Sequence, residues 1–140
     1  MGIKPNAVLV FIVIFAIFNN FNICISMGIF GGVLQDVISG KSLWIHTLLS
    51  LIIVLLVQFT MSRIYYKNNA IILLTVGLMT TIYNILFLII NFMLFNDMNF
   101  SIYFSKIFLI ECIYNSIFSI IIYAFLKKGN ILFDVKGQIT

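Results

Sequence analysis

Gly28-Ile29-Phe30-Gly31-Gly32-Val33-Leu34-Gln35-Asp36-Val37-Ile38-Ser39-Gly40-Lys41 is the stretch that decides how this chain is read. It interrupts an otherwise oily sequence with three glycines, an amide, an acid and a turn, in that order. Gly28, Gly31 and Gly32 lie three and four positions apart, so on a helix they share one face. Water cannot drive helices together inside a bilayer, and a smooth face of small residues lets a second backbone approach closely. Asp36 then closes the apolar run, and Ser39-Gly40-Lys41 reads as a tight turn. Two readings stand for the stretch: a helix-packing groove followed by an interfacial loop, or a ligand- or partner-binding role for Asp36.

Working outward, the composition explains why a membrane is the relevant solvent. Of 140 residues 63% are hydrophobic and only 9% charged, with a mean hydropathy of +1.20. A water-soluble domain of this length needs a polar skin that this sequence lacks. The apolar segments recur to the end of the chain, so a cleaved leader does not account for them. Spans in lipid must be helical here, because unpaired backbone is costly and the alternating pattern of a barrel is absent. The expected fold class is therefore all-α, a polytopic transmembrane helix bundle of about five spans. Residues 1–128 form one helical domain in this reading, and 129–140 a short tail. The net charge of +4 falls at span ends and does not point to nucleic acid.

The apolar runs are Ala7 to Phe18, Ile23 to Leu34, Leu43 to Met61, Ala70 to Phe95 and Tyr103 to Leu126. The first two are short against the roughly 20 residues that cross a bilayer. They read as a tight hairpin about Asn19-Asn20, with one broken helix as the alternative. Ser62-Arg63-Ile64-Tyr65-Tyr66-Lys67 is a basic and aromatic girdle, and Lys127-Lys128 closes the last span. Five spans put Arg63, Lys67, Lys127, Lys128 and Lys136 on one side, and Lys4 and Lys41, with Asp36 and Asp97 near them, on the other. The bias of basic residues towards the cytoplasm then places the C-terminus inside and Met1 outside. An additional helix before Met1, or a four-span arrangement, would reconcile that placement with a chain carrying no cleaved signal. A faint echo relates Ile82-Tyr83-Asn84 to Ile113-Tyr114-Asn115, 31 residues later.

Glu111 is the most provocative single residue, because an ionisable group inside a span is expensive and is a functional candidate on that ground. Lys106, Tyr114 and Asn115 are its nearest candidate partners in the sequence. The bland reading is an acid satisfied internally that locks the last helix into the bundle. His46 opens the third span just after the Gly40 turn and could meet Asp36 across a hairpin, as a proton relay or simply as an interfacial histidine. Asn84, Asn91 and Asn115 are intramembrane amides, ordinarily packing glue. Trp44 is an interfacial anchor. Cys24 and Cys112 sit in apolar runs with no metal-ligand spacing and read as small hydrophobes, so no metal or cofactor is expected. No nucleophile–base set or phosphate-cradling loop is present in the sequence, and no enzyme is expected.

The order of these features resembles one family. Ile3-Lys4-Pro5-Asn6-Ala7-Val8-Leu9-Val10 resembles the K-P-N-L-x-L start of an early helix in MreD, the rod-shape-determining membrane protein. The stretch from Gly28 to Gly40 resembles that family's G-F-x-x-G-L-x-x-D-x-x-x-G segment, and Ile110-Glu111-Cys112-Ile113-Tyr114-Asn115 its C-terminal E-x-x-Y-N pattern. The matches fall in order from residue 3 to about residue 128. The family usually carries a glycine shortly after the Gly40 turn, where this chain has Trp44, and usually begins with one more hydrophobic helix.

The resemblance implies a non-enzymatic component of the cell-elongation machinery in the bacterial cytoplasmic membrane. Its implied partner is MreC, with MreB, the RodA glycosyltransferase and a class B penicillin-binding protein in the same peptidoglycan-synthesising assembly. It also implies a fold similar to the membrane substrate-binding subunits of energy-coupling-factor (ECF) vitamin transporters, which leaves a small-molecule-binding subunit as the alternative. In the scaffold reading Gly28, Gly31, Gly32, Asp36 and Gly40 make the helix-packing or partner face. Glu111, Asn84 and Asn115 are the intramembrane polar set, and Arg63, Lys67, Lys127 and Lys128 the cytoplasmic basic anchor.

Overall fold

In the computed structural model, residues 6–40, 44–64, 68–95 and 108–128 are described, and among them there are five helices and no strand. They are α1 (Ala7–Phe18), α2 (Phe21–Ser39), α3 (Ile45–Met61), α4 (Asn69–Phe95) and α5 (Phe108–Lys128). Successive helices run antiparallel. Cys24 Sγ approaches the Phe15 and Ala16 carbonyls while Gly31 faces Ile12 and Val8, so α1 and α2 form the hairpin, turned at Asn19-Asn20. The most extensive packing joins α2 to α3, and the next joins α4 to α5.

The centre of the bundle is α1, which touches each of the other four helices. Leu9, Val10 and the whole run from Ile12 to Ala16 and Ile17 are buried. A helix apolar all round is one that is enclosed. At ~1.5 Å per residue, its twelve residues reach only ~18 Å, well short of a ~30 Å hydrocarbon core. By length and composition three helices can cross a membrane, namely α2, α4 and α5, while α1 and α3 are shorter. The short first run is thus the hub around which the longer helices stand.

Helix ends follow local chemistry. Asn6 caps α1, its Oδ1 accepting the Leu9 N–H at 3.1 Å. At the end of α2, Gly40 adopts φ +61° and its N–H donates to the Asp36 carbonyl at 3.1 Å. That left-handed cap suits glycine. The apolar run of α2 was expected to stop at Leu34. Instead the helix continues through Gln35 and Asp36 to Ser39, because both polar side chains turn towards partners on α1, α3 and α4. Trp44 also has positive φ, +66°, with an exposed indole. An L side chain in that conformation costs roughly 1–2 kcal/mol.

Topology gathers the described charged residues at two ends. The C-terminal turns of α3 and α5 share one end with the α1–α2 turn, since Gln58 reaches the Asn19 carbonyl and Phe18 stacks on Tyr123. Arg63, Lys127 and Lys128 lie there, with Arg63 over the Phe59 ring and Lys127 over Tyr123. Asp36 and Glu111 lie at the other end, beside the starts of α3 and α5. Lys4, Lys41, Lys67, Asp97, Lys106, Lys136 and the 129–140 tail are outside the described residues.

Candidate functional site: a polar network at the acidic end

The buried face of α2 is made of four small residues, Cys24, Gly28, Gly31 and Gly32. A Cβ on Gly28 would come 2.9 Å from Val54 Cγ2 of α3, and one on Gly31 would come 2.5 Å from Ile12 Cδ1 of α1. One on Gly32 would run into the Thr47 backbone and the Ser50 hydroxyl. The glycine face is therefore occupied inside the protein, Gly31 by α1 and Gly28 and Gly32 by α3. Ser50 Oγ adds a 2.7 Å hydrogen bond to the Gly28 carbonyl, which only so close an approach permits.

One turn on, Asp36 reaches the start of α3. Its Oδ1 accepts the His46 N–H at 3.0 Å, and its Oδ2 accepts the Thr47 N–H at 3.1 Å and the Thr47 hydroxyl at 2.6 Å. Trp44, at the N-cap position, provides no side-chain cap. Asp36 thus caps α3 from a neighbouring helix, placing a carboxylate where unpaired amides and the helix dipole favour negative charge. The expected meeting of His46 and Asp36 does occur, but through the histidine's backbone. Its imidazole goes elsewhere, because the first turn of α3 faces α4.

That imidazole stacks on Phe87 with ring centroids 5.1 Å apart, and its Nδ1 lies 2.5 Å from the Tyr83 hydroxyl. Tyr83 Oη donates to Gln35 Oε1 at 3.3 Å, and Gln35 Nε2 donates to Asn6 Oδ1 at 2.6 Å. The Asn6 N–H donates to Asn115 Oδ1 at 2.9 Å, and Asn115 Nδ2 donates to Thr80 Oγ1 at 3.3 Å. With the histidine proton on Nδ1, the side-chain bonds in this chain run in one direction from His46 through Tyr83 and Gln35 to Asn6. The chain joins all five helices, and Asn115, Thr80 and Tyr83 within it are buried. It holds helices in register, and its members are hydrogen-bond partners of one another.

The remaining candidates are divided. Glu111 Oε2 accepts from Asn84 Nδ2 at 3.1 Å across α4 and α5, a turn from Asn115. Two of the three intramembrane polar residues thus pair with each other, and the third joins the network. The sequence echo has no structural counterpart: Tyr83 is buried and Tyr114 exposed, Asn84 half-buried and Asn115 fully enclosed. Arg63, Lys127 and Lys128 are exposed at the opposite end, and Lys67 is outside the described residues. Among the described residues no group of three or more His, Cys, Asp or Glu side chains gathers as a metal site would require.

Several participants were not singled out from the sequence. Asn6, Gln35, Tyr83 and Thr80 belong to the network, and Gln58 stitches the far end. Gln58 Nε2 donates to the Ala16 carbonyl at 2.7 Å and the Asn19 carbonyl at 2.9 Å, tying the α1–α2 turn to α3. The available signal was the same for all: a hydrogen-bonding group inside or at the edge of an apolar run.

Comparison with known proteins agrees with the family that the sequence resembles. The MreD family model, described as rod shape-determining protein MreD, matches residues 1–129. No curated protein and no solved structure matches the chain.

Proposed function

The chain belongs to the MreD family of rod shape-determining membrane proteins, and from that premise we propose that it is a non-enzymatic scaffold of the cell-elongation complex. In this reading it helps organise side-wall peptidoglycan synthesis through MreC, with MreB, RodA and a class B penicillin-binding protein further along the assembly. The observation that supports a scaffold is the polar network. Asn6, Gln35, Asp36, His46, Tyr83 and Asn115 are engaged in bonds between helices, and a ligand at this end would have to compete with those bonds. With the glycine face filled internally, the outer faces of α2 and α5 are among the surfaces left for partner helices and lipid. Phe30, Val37 and Ile38 are exposed on the first, and Ile113, Ile117 and Phe125 on the second.

The same reading assigns an orientation in the cytoplasmic membrane. The end bearing Arg63, Lys127 and Lys128 faces the cytoplasm, together with Lys67 and the tail from residue 129, and the Asp36–Glu111 end faces outward. Co-purification with tagged MreC in mild detergent tests the scaffold. A stoichiometric complex is expected. Failure to recover one, joined with saturable binding of a water-soluble vitamin to the purified chain, would transfer the assignment to a transporter-type substrate-binding subunit.

A further inference from the structure

Outside the network, the structure carries a cleft between the end of α3 and the start of α4. It has a volume of about 230 Å³ and is lined by Ile64, Ile71, Leu74, Leu78 and Met79, with Thr60 and Thr75. Both threonine hydroxyls are spent on their own helices, donating to the Leu56 and Ile71 carbonyls at 2.7 Å each. Water needs two to four polar partners to occupy a cavity, and this lining is poor in them. Leu74 and Leu78 are exposed, so the cleft opens outward from the bundle. Its natural occupant is hydrocarbon.

A cation stands beside it. Phe59, in the last turn of α3, and Arg63, just past the end of that helix, each precede a cleft-lining residue, Thr60 and Ile64, and so stand beside the cleft. The exposed Arg63 guanidinium lies 4.8 Å from the Phe59 ring centroid, and its planar donor fork is of the kind that pairs with a phosphate. The described acids, Asp36 and Glu111, are both at the opposite end of the bundle. We propose that this cleft and Arg63 form a binding site for one anionic phospholipid, an acyl chain in the cleft and the phosphate at the guanidinium. A volume of about 230 Å³ is far below that of a transmembrane helix ~10 Å across with its side chains, whereas a segment of a single hydrocarbon chain is of that size. The inference is independent of the scaffold reading and needs no partner protein.

The test uses the full chain in vesicles containing phosphatidylglycerol or phosphatidylcholine with the same photoactivatable acyl chain. Crosslinks should concentrate on Ile64 and residues 70–79 rather than on α2 and α5. Phosphatidylglycerol should be preferred about fivefold, the ratio expected of one basic residue at an anionic surface. Arg63→Gln should abolish the preference, Lys128→Gln should keep it, and Ala70→Phe, which narrows the cleft from its exposed rim, should lower labelling by both lipids. Even labelling of every exposed stripe, or a preference surviving Arg63→Gln, overturns the proposal. So does protection of the cleft in native membranes relative to vesicles, which would mean that another protein's helix covers it.

Discussion

The α2–α3 seam and the α4–α5 seam are built from the same parts to different tolerances. Each places a glycine against a hydroxyl-bearing neighbour and an acid one or two turns away, at the same end of the bundle. Between α2 and α3 a Cβ at Gly32 would meet the Thr47 backbone, and Asp36 takes two peptide N–H groups and a hydroxyl. Between α4 and α5 a Cβ at Gly77 would come 3.2 Å from Ser116 Oγ, and Glu111 takes one amide hydrogen from Asn84. Backbone cannot move aside, but a serine rotamer can. The comparison teaches that a glycine's importance in a membrane bundle depends on what stands opposite it, not on the motif around it.

Substitutions can break or sharpen that contrast. The largest effect is expected at Gly32→Ala, which should destabilise the fold by about 3 kcal/mol, at the upper end for overpacking because the obstacle is backbone. Reversible unfolding in mixed micelles measures it, and a change under 1 kcal/mol would show that the two seams do not differ. Asp36→Ala should cost about 2 kcal/mol by uncapping α3, with faster hydrogen exchange confined to the first turn of α3. Asp36→Asn should recover part of that loss by keeping an acceptor.

Smaller effects should follow at the boundary and in the looser seam. Trp44→Gly relieves a left-handed backbone at a bulky residue and should stabilise by about 1 kcal/mol, read as a higher melting temperature. A fall instead would mean that the indole's anchoring in the interface outweighs the strain. Glu111→Ala should cost about 0.6 kcal/mol, the average worth of an interhelical hydrogen bond in a membrane. Gly77→Ala should be close to neutral, since a helix-propensity gain of up to ~1 kcal/mol offsets the displacement of Ser116. If Gly77→Ala proves as harmful as Gly32→Ala, the distinction between the seams fails.

Much of the site was legible because polar groups in apolar runs are conspicuous. The glycine spacing marked a close approach, the Gly40 turn marked the end of α2, and Asp36, Asn84, Glu111 and Asn115 stood out as groups needing partners. The partners themselves were not legible. His46 was matched with Asp36 by proximity in sequence, yet its imidazole found Tyr83, which is 37 residues away on a helix facing it. Asn6 and Gln35 were passed over because each lies at the edge of a run, where water is an equally good partner. Only the meeting of α1 with α2 and α5 brings them to their partners.

By itself the sequence determined that this is a helical membrane protein, where its helices fall to within a few residues, and which residue types had to be satisfied within lipid. These follow from composition, periodicity and the cost of unpaired polar groups, which are local properties of the chain. Only the tertiary structure decided which faces of α4 and α5 turn outward around the enclosed α1, that α1 takes Gly31 and α3 takes Gly28 and Gly32, and that Asp36 caps a helix other than its own. The physical reason is that lipid and protein interior are alike in polarity. Hydrophobicity therefore sets which segments leave water, and packing alone sets which of them meet one another.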